Sequence, residues 1–142
     1  GVRSTERIEK GQYICCYFGE VIFDPAERLR REKLTLDDGT TYVAEVSLGP
    51  KPFRFTNDGN LWGNVARFFN HSCEPNVCVK IILDNQFPKP LMALFAKEDV
   101  EPMTELCWKY NQGARTKYTA KEKDGELKMR CRCGSKRCRK YL

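Results

Sequence analysis

The chain has 142 residues and a formal net charge of +6, from 25 Lys and Arg against 19 Asp and Glu. This length predicts one domain that buries a core without covalent cross-links. No long apolar run and no signal-peptide pattern occur, which argues against a membrane span or a secretory leader. The basic surplus favours partners such as nucleic acid or nucleosomes.

The eight cysteines favour thiols and one metal site over a disulfide framework. Cys15 and Cys16 are neighbours on a predicted strand, where adjacent side chains face opposite sides. Cys131, Cys133 and Cys138 form a C-x-C-x4-C cluster near the end of the chain. This division suits a reducing compartment, because secreted disulfide frameworks are usually smaller and rich in loops.

The first predicted elements are a strand and a helix. Gln12–Ile22 is rich in β-branched and aromatic residues, so we expect a strand that Gly19 interrupts. Asp24 suits a helix N-cap and Pro25 suits the first helical position. We expect this helix to run to about Lys33, with its charges forming a solvated face.

The rest of the chain predicts short strands and turns. The strands are expected at Tyr42–Val46, Phe53–Phe55, Val77–Leu83 and Leu91–Ala96, with a turn at Asp37–Gly39 and a hairpin loop at 84–90. Many short strands and a single short helix predict a mainly β domain.

Three motifs resemble those of the SET-domain lysine methyltransferases. From Gly63 to Asn76 the chain carries a glycine, an asparagine, an Arg-Phe pair and then Asn-His-Ser-Cys-x-Pro-Asn, which is the family's signature. The run Tyr17-Phe-Gly-Glu resembles Tyr-x-Gly-Glu, and the segment ending at Tyr110 resembles Glu-Leu-x-aromatic-Asp-Tyr. A lone histidine beside aromatic residues is more often part of a core, so the interpretation depends on the whole set.

The resemblance implies a mainly β SET domain of small sheets in a β-clip arrangement, with short helices, a C-terminal pseudoknot and a zinc-binding post-SET tail. It divides the chain into a SET domain at 1–111, a charged connecting loop at 112–126 and the tail at 127–142. It is closest to the suppressor-of-variegation group, which methylates lysine 9 of histone H3. That group usually has an upstream cysteine-rich zinc cluster, so we expect this chain to be an N-terminally truncated fragment.

The family's functional residues can be carried onto this sequence. Tyr110 would be the catalytic tyrosine, and Tyr17, Tyr42 and Trp108 would line the channel for the substrate lysine. The residues expected to bind S-adenosylmethionine are Gly1, Val2, Arg3, Tyr42, Arg67, Asn70 and His71. For Gly1–Arg3 the alternative is a frayed terminus.

A structural zinc ion needs four ligands, and the tail offers three cysteines. The resemblance assigns the fourth position to Cys73, within the signature. Taken alone, the tail pattern is also compatible with a fragment of a nucleic-acid-binding zinc knuckle or with unpaired thiols.

The resemblance implies a nuclear, chromatin-associated lysine methyltransferase that acts on a histone H3 tail peptide. The alternatives are a methyltransferase for a non-histone protein and a non-catalytic SET module that binds chromatin. The basic run at Lys128–Lys140 is either a solvated tail or a contact for nucleosomal DNA. Lys109 replaces the family's usual aspartate, and Trp108 replaces a Phe or Tyr, from which we expect addition of more than one methyl group.

Overall fold

A computed structural model describes residues 1–36, 42–48, 53–83, 90–110 and 130–141. The turn predicted at Asp37–Gly39, residues 84–89 of the hairpin loop predicted at 84–90, and the connecting loop predicted at 112–126 lie outside these residues. No helix within the described part of the chain is long and apolar enough to cross a membrane.

The prediction of a mainly β domain is confirmed. In chain order the elements are β1 (Tyr13–Tyr17), β2 (Glu20–Ile22), α1 (Pro25–Leu36), β3 (Val43–Leu48), β4 (Phe53–Asp58), a 3-10 helix (Val65–Phe68), β5 (Asn70–His71), β6 (Val77–Ile82), β7 (Leu91–Ala96) and β8 (Cys107–Trp108). Gly19 separates β1 from β2, as expected. A Cβ at this position would lie only 2.6 Å from the backbone oxygen of Asp58, so the close approach of the chain requires glycine.

Three elements continue past their predicted ends: α1, β3, which runs two residues past Val46 to Leu48, and β4. Helix α1 continues three residues past Lys33 to Leu36, because no helix-breaking residue intervenes. Strand β4 continues past Phe55 to Asp58 because it pairs on both sides, with β2 and with β3. Pairing between distant segments is not visible in local sequence.

The strands form three small sheets. Antiparallel sheets have the orders β1-β7-β6 and β2-β4-β3. Strands β6 and β7 are antiparallel neighbours in the predicted hairpin, with Val79 opposite Leu94. The third sheet is a parallel pair in which Asn70 lies opposite Cys107 and His71 opposite Trp108. This pair places the Asn-His-Ser-Cys signature beside the segment that ends at Tyr110.

The core lies between the sheets and the signature. Its largest fully buried side chains include Phe55, Phe69, Val77, Met92, Leu94 and Val100. The N-terminal segment is joined to this core by antiparallel bridges, one between Arg3 and Glu105 and another between Ile8 and Val100. The first eight residues therefore lie against the segment between Val100 and Glu105.

The charges on α1 are not all solvated. Arg31 donates to Glu20 at 2.6 Å, to Glu27 at 2.7 Å and to Asp58 at 3.1 Å, and its side chain is 22% exposed. The expected solvated face holds for Arg30, whose side chain is 62% exposed. Arg31 instead anchors α1 to β2 and β4, because it is the partner of the buried Asp58 carboxylate.

Candidate active site and metal centre

Two asparagines hold the signature in place. Asn64 Nδ2 donates to the carbonyl of Cys16 at 2.7 Å, which ties the start of the signature to β1. Asn76 Nδ2 donates to the Glu105 carbonyl at 2.8 Å, and its Oδ1 accepts the N–H of Cys107 at 2.9 Å. No individual role was predicted for these two residues. Each forms hydrogen bonds with main-chain groups that are distant in the sequence, and so joins two segments of the fold.

The three aromatic residues predicted to line the substrate channel lie together with the predicted catalytic tyrosine, Tyr110. The ring centroids of Tyr17 and Trp108 are 5.9 Å apart, and those of Trp108 and Tyr110 are 5.3 Å apart. The Tyr17 hydroxyl donates to the carbonyl of Tyr42 at 2.5 Å. Tyr17 and Trp108 are buried, whereas Tyr42 and Tyr110 are partly exposed. The cluster is therefore closed on one side and open on the other.

Tyr110 is fixed at both its backbone and its hydroxyl. Its N–H donates to His71 Nδ1 at 3.0 Å, and its hydroxyl donates to the carbonyl of Phe69 at 2.8 Å. Burial raises the pKa of Tyr110 to about 12, so the hydroxyl is protonated at neutral pH. Because it donates its proton to Phe69, its oxygen keeps lone pairs that can accept an incoming N–H.

Arg67 supports the loop beside this cluster. Its guanidinium donates to the Gly59 carbonyl at 2.8 Å and lies 5.0 Å from the ring centroid of Tyr42 and 4.7 Å from that of Phe68. These cation–π contacts hold the Tyr42 ring in place. The role of Arg67 in cofactor binding stays a prediction.

The N-terminal residues lie against the signature. The Val2 carbonyl accepts the N–H of Leu106 at 2.8 Å, and Arg3 donates to the Met103 carbonyl at 2.7 Å. A Cβ added at Gly1 would lie 3.0 Å from Asn70 Nδ2. The structure thus brings Gly1 and Asn70 together, two residues that the resemblance assigned to cofactor binding.

Glu105 completes this corner of the site. Its Oε1 accepts a hydrogen bond from Asn70 Nδ2 at 2.7 Å, and a Cβ at Gly1 would overlap that oxygen. The glutamate belongs to the Glu-Leu-x-aromatic motif, but sequence reasoning gave it no role. Its place in that motif was the signal that the sequence offered.

His71 has partners at both ring nitrogens. Since Nδ1 accepts the N–H of Tyr110, a neutral ring carries its proton on Nε2, which lies 3.4 Å from Cys73 Sγ. Burial lowers the pKa of His71, and the positive charges of Arg139 and Lys109 lower it further. The ring is therefore neutral at physiological pH, with its N–H directed at the thiol.

The structure brings together the four cysteines predicted to bind metal. The Sγ atoms of Cys73, Cys131, Cys133 and Cys138 all lie within 4.8 Å of one another, and those of Cys73 and Cys131 are 3.9 Å apart. Tetrahedral zinc with Zn–S bonds of about 2.3 Å places its sulfurs about 3.8 Å apart. Four thiol donors at this spacing fit a zinc ion of the closed, structural kind.

The tail is fastened to the signature around these cysteines. The Arg139 N–H donates to Cys73 Sγ at 3.4 Å, and the Arg137 guanidinium forms an ion pair with Glu74 at 2.7 Å. Within the tail, the N–H of Cys131 donates to the Lys140 carbonyl at 2.8 Å. The remaining cysteines, Cys15, Cys16, Cys78 and Cys107, are also free thiols.

A SET-domain sequence profile matches residues 1–111. The chain belongs to the SET-domain family. Along its whole length, this SET-domain chain is 35% identical to a histone-lysine N-methyltransferase of Schizosaccharomyces pombe, named as H3 lysine-9 specific, and spans 30% of that protein. It is 37% identical to the probable histone-lysine N-methyltransferase set-23 of Caenorhabditis elegans and spans 54% of it. The chain therefore spans about half or less of the length of these relatives.

Solved structures have the same fold. The methyltransferase domain of human SETMAR superposes with a TM-score of 0.81 at 34% identity, covering 100% of this SET-domain chain and 53% of the other. KRYPTONITE in complex with mCHG DNA and SAH gives a TM-score of 0.68 at 30% identity, covering 99% of this chain and 26% of the other. The predicted SET fold is confirmed.

Proposed function

We propose that this SET domain is the catalytic module of an S-adenosylmethionine-dependent protein-lysine N-methyltransferase. The observation that carries the proposal is the fixed Tyr110 hydroxyl at the aromatic cluster of Tyr17 and Trp108. Relatives named as histone-lysine N-methyltransferases support it. We further propose the histone H3 tail as the substrate, with lysine 9 as the target, because one of these relatives, that of Schizosaccharomyces pombe, is named H3 lysine-9 specific.

The aromatic cluster suits a lysine side chain whose amine must lose its hydration before it reacts. Free lysine has a pKa of about 10.4, so its amine must lose a proton before it can act as a nucleophile. A narrow channel of Tyr17, Tyr42 and Trp108 strips water from the amine and aligns it. Ring faces also tolerate the cationic and methylated forms of the amine, so substrate and product both fit.

Tyr110 orients the amine and does not act as a strong base. Its hydroxyl is protonated and donates to the Phe69 carbonyl, so it offers a lone pair to an amine N–H. Accepting that N–H turns the nitrogen lone pair towards the methyl donor. The N–H···Nδ1 bond to His71 fixes the backbone from which the hydroxyl projects.

The cofactor site is proposed to lie beside Tyr110. S-adenosylmethionine supplies an electrophilic methyl group for in-line displacement. The Asn70 side chain and the His71 backbone would hold its amino-acid and adenine parts, with Gly1, Val2, Arg3, Tyr42 and Arg67 completing the site. The exposed Asn70 at the Gly1 corner fits a ligand entering from solvent. The SAH bound to KRYPTONITE supports this choice of cofactor.

The cysteine cluster is proposed to hold one structural zinc ion through Cys73, Cys131, Cys133 and Cys138. With four protein ligands such an ion has no open position, so its contribution is to fix the tail against the signature. Because such sites couple metal binding to folding, the tail should be ordered only with metal bound.

A second candidate is a SET module that binds chromatin without catalysis. The basic run at Lys128–Lys140 has seven Lys and Arg and no acidic residue, and KRYPTONITE was solved with DNA. Contact between this run and DNA phosphates is compatible with either function. We propose a nuclear, chromatin-bound location in both cases. A non-histone substrate remains a third candidate.

The deciding experiment is methyl transfer to a panel of histone-tail peptides, followed by mass spectrometry. We expect a mass gain on an H3 peptide that disappears when lysine 9 is replaced by arginine, and no gain with Tyr110→Phe. Methylation of another peptide would redirect the substrate assignment. Cofactor binding without transfer to any peptide or protein would favour the non-catalytic module.

A further inference from the structure

Strand β6 (Val77–Ile82) is an edge strand, because its sheet has the order β1-β7-β6. Its pairing with β7 extends one position beyond the Val77–Ala96 pair, where the Lys97 N–H donates to the Asn76 carbonyl at 2.8 Å. Ala96 instead bonds, through both its N–H and its carbonyl, to the segment that leads into β1. The Asn76–Lys97 pair is therefore of the hydrogen-bonded kind, and the Val77–Ala96 pair is not.

The two kinds of pair alternate along an antiparallel ladder, so every second residue of β6 turns its backbone groups away from β7. Val79 and Ile81 are such residues. Within the part of the chain that the structure describes, no hydrogen bond engages the N–H or the carbonyl of either residue. Their side chains pack against the core, so the strand is held in place while this edge stays open. Two donors and two acceptors at fixed spacing form a template for another extended strand.

The strand lacks the features that usually prevent edge pairing. Natural edge strands carry proline, charges or bulges that keep another strand away. Over Val77–Leu83 the only charged residue is Lys80, and its Nζ lies 5.1 Å from the centroid of the Phe95 ring on β7. The charge is thus drawn back over its own sheet. At the end of the strand, Ile82 is 39% exposed and Leu83 is 71% exposed, although both are apolar.

The sequence of β6 is complementary to itself in one antiparallel register. When Ile81 lies opposite Ile81 of a second copy, Val79 lies opposite the second copy's Leu83, and Lys80 lies opposite its Ile82. The open backbone groups of the two strands then meet as hydrogen-bonded pairs. No charge faces a like charge in this register, whereas a register centred on Lys80 would set two ammonium groups opposite each other.

We propose that β6 is the contact strand of a symmetric dimer, in which two copies pair antiparallel about Ile81 and their three-stranded sheets join into one sheet. A second copy is the occupant because β6 itself supplies the complement that the edge requires, an apolar strand whose single charge lies off the centre. The contact is only one strand wide, so we expect a weak dimer with a Kd of about 0.1 mM. This inference does not depend on the proposed function.

Sedimentation equilibrium and amide hydrogen exchange test the dimer and its interface together. At concentrations from well below to well above this Kd, the average mass should rise from that of one chain to that of two. Exchange at Val79 and Ile81 should slow over the same range, whereas the Lys80 N–H, which faces β7, should exchange slowly throughout. A chain that stays monomeric, or a dimer in which these two amides still exchange fast, overturns the proposal. So does protection that appears only when nucleosomes are added, because the edge would then serve another partner.

Substitutions at Ile82 test the register. Ile82→Gln is the reference, since it removes the apolar contact without adding a charge. Relative to this reference, Ile82→Glu sets a carboxylate opposite the second copy's Lys80 twice per dimer and should lower Kd about fivefold, and Ile82→Lys should raise Kd about fivefold. The charge swap Lys80→Glu/Ile82→Lys should dimerise about as well as Ile82→Glu. Leu29→Glu and Leu29→Lys, at an exposed position on α1, are matched controls for net charge and should leave Kd unchanged.

Equal effects of Ile82→Glu and Ile82→Lys, or the same effects from the two substitutions at Leu29, would overturn the pairing. Ile81→Pro removes an N–H that the single copy does not use, and proline is tolerated on an open strand edge. We expect this variant to stay monomeric at every concentration. Its melting temperature, measured well below the Kd, shows whether the fold survives; if it does not, the Ile82 series alone decides.

Discussion

The Nδ1 atom of His71 accepts a hydrogen bond from the backbone N–H of Tyr110 at 3.0 Å. The other ring nitrogen lies 3.4 Å from Cys73 Sγ. One imidazole therefore stands between the proposed catalytic tyrosine and the cysteine cluster. We therefore expect a change in the cysteine cluster to affect the position of Tyr110 through the His71 side chain.

Metal removal should abolish activity. We expect one zinc ion per chain by elemental analysis, and a chelator should loosen the segment 130–141, as seen by faster amide hydrogen exchange, and suppress methyl transfer. Cys133→Ser should lose zinc. Cys78→Ser is the matched control, because Cys78 lies on β6 outside the cluster. Fully active protein without zinc would show that the cluster has another role.

His71→Ala should loosen the backbone around Tyr110, beside the proposed cofactor site, and so weaken cofactor binding, and it should also make the protein more sensitive to chelators. The substitution leaves the Tyr110 N–H without its acceptor and removes the N–H that faces Cys73. Calorimetry with SAH and zinc release against chelator concentration measure the two effects separately. Normal chelator sensitivity in this variant would mean that the ring does not support the cluster.

Tyr110→Phe should lower turnover about a hundredfold or more and leave SAH affinity nearly unchanged, because the hydroxyl is proposed to contact the substrate amine and not the cofactor. The pKa of Tyr110, raised to about 12 by burial, also predicts a pH profile. The wild-type rate should increase with pH as the substrate amine deprotonates, with no loss from ionised Tyr110 below about pH 10. Wild-type turnover in Tyr110→Phe would contradict the assignment.

Trp108 should permit the addition of more than one methyl group, and Trp108→Tyr should shift the product towards the monomethyl form. The buried indole packs between Tyr17 and Tyr110 and has a donor but no acceptor. Tyrosine would add a hydroxyl that can hold a water molecule in the space the extra methyls need. Mass spectrometry of a peptide methylated to completion decides this. A wild-type product that stops at one methyl would show that the indole fills that space.

Arg31→Met should lower Tm by several degrees, because the buried Asp58 carboxylate and Glu20 lose their shared cation. Arg30→Met is the control and should have a smaller effect, since Arg30 is largely exposed and pairs with Glu27.

Hydrogen bonds from Arg30 and Arg31 lower the pKa of Glu27 to about 2. That contribution to stability is complete above pH 4.5 and is lost as pH falls towards 2, so Arg31→Met should flatten the acid dependence of Tm.

The sequence predicts features whose signal is local. The Gly19 break, the β6–β7 hairpin and the start of α1 at Pro25 all follow from turn and cap residues within a few positions. The signature resemblance also named the residues that the structure brings together, because the family's spacing encodes contacts that this chain keeps.

Contacts between distant segments could not be predicted in this way. Arg31 and Asp58 are 27 residues apart, and nothing around Arg31 distinguishes it from its solvated neighbour Arg30. The same holds for Glu105, whose partner Asn70 lies 35 residues earlier. Which charge is buried depends on how the sheets pack, and periodicity carries no information about that packing.

The bridge between Arg3 and Glu105 has a kinetic consequence. Arg3 and its acceptor Met103 are 100 residues apart, so their contact closes a loop that contains most of the domain. Long loops close late and slowly, because the conformational entropy of the chain is lost before the contact contributes its stabilising free energy. We therefore expect the pocket at Gly1 and Asn70 to form in the last folding step, so that a nascent chain cannot bind the cofactor until the region around Glu105 has left the ribosome.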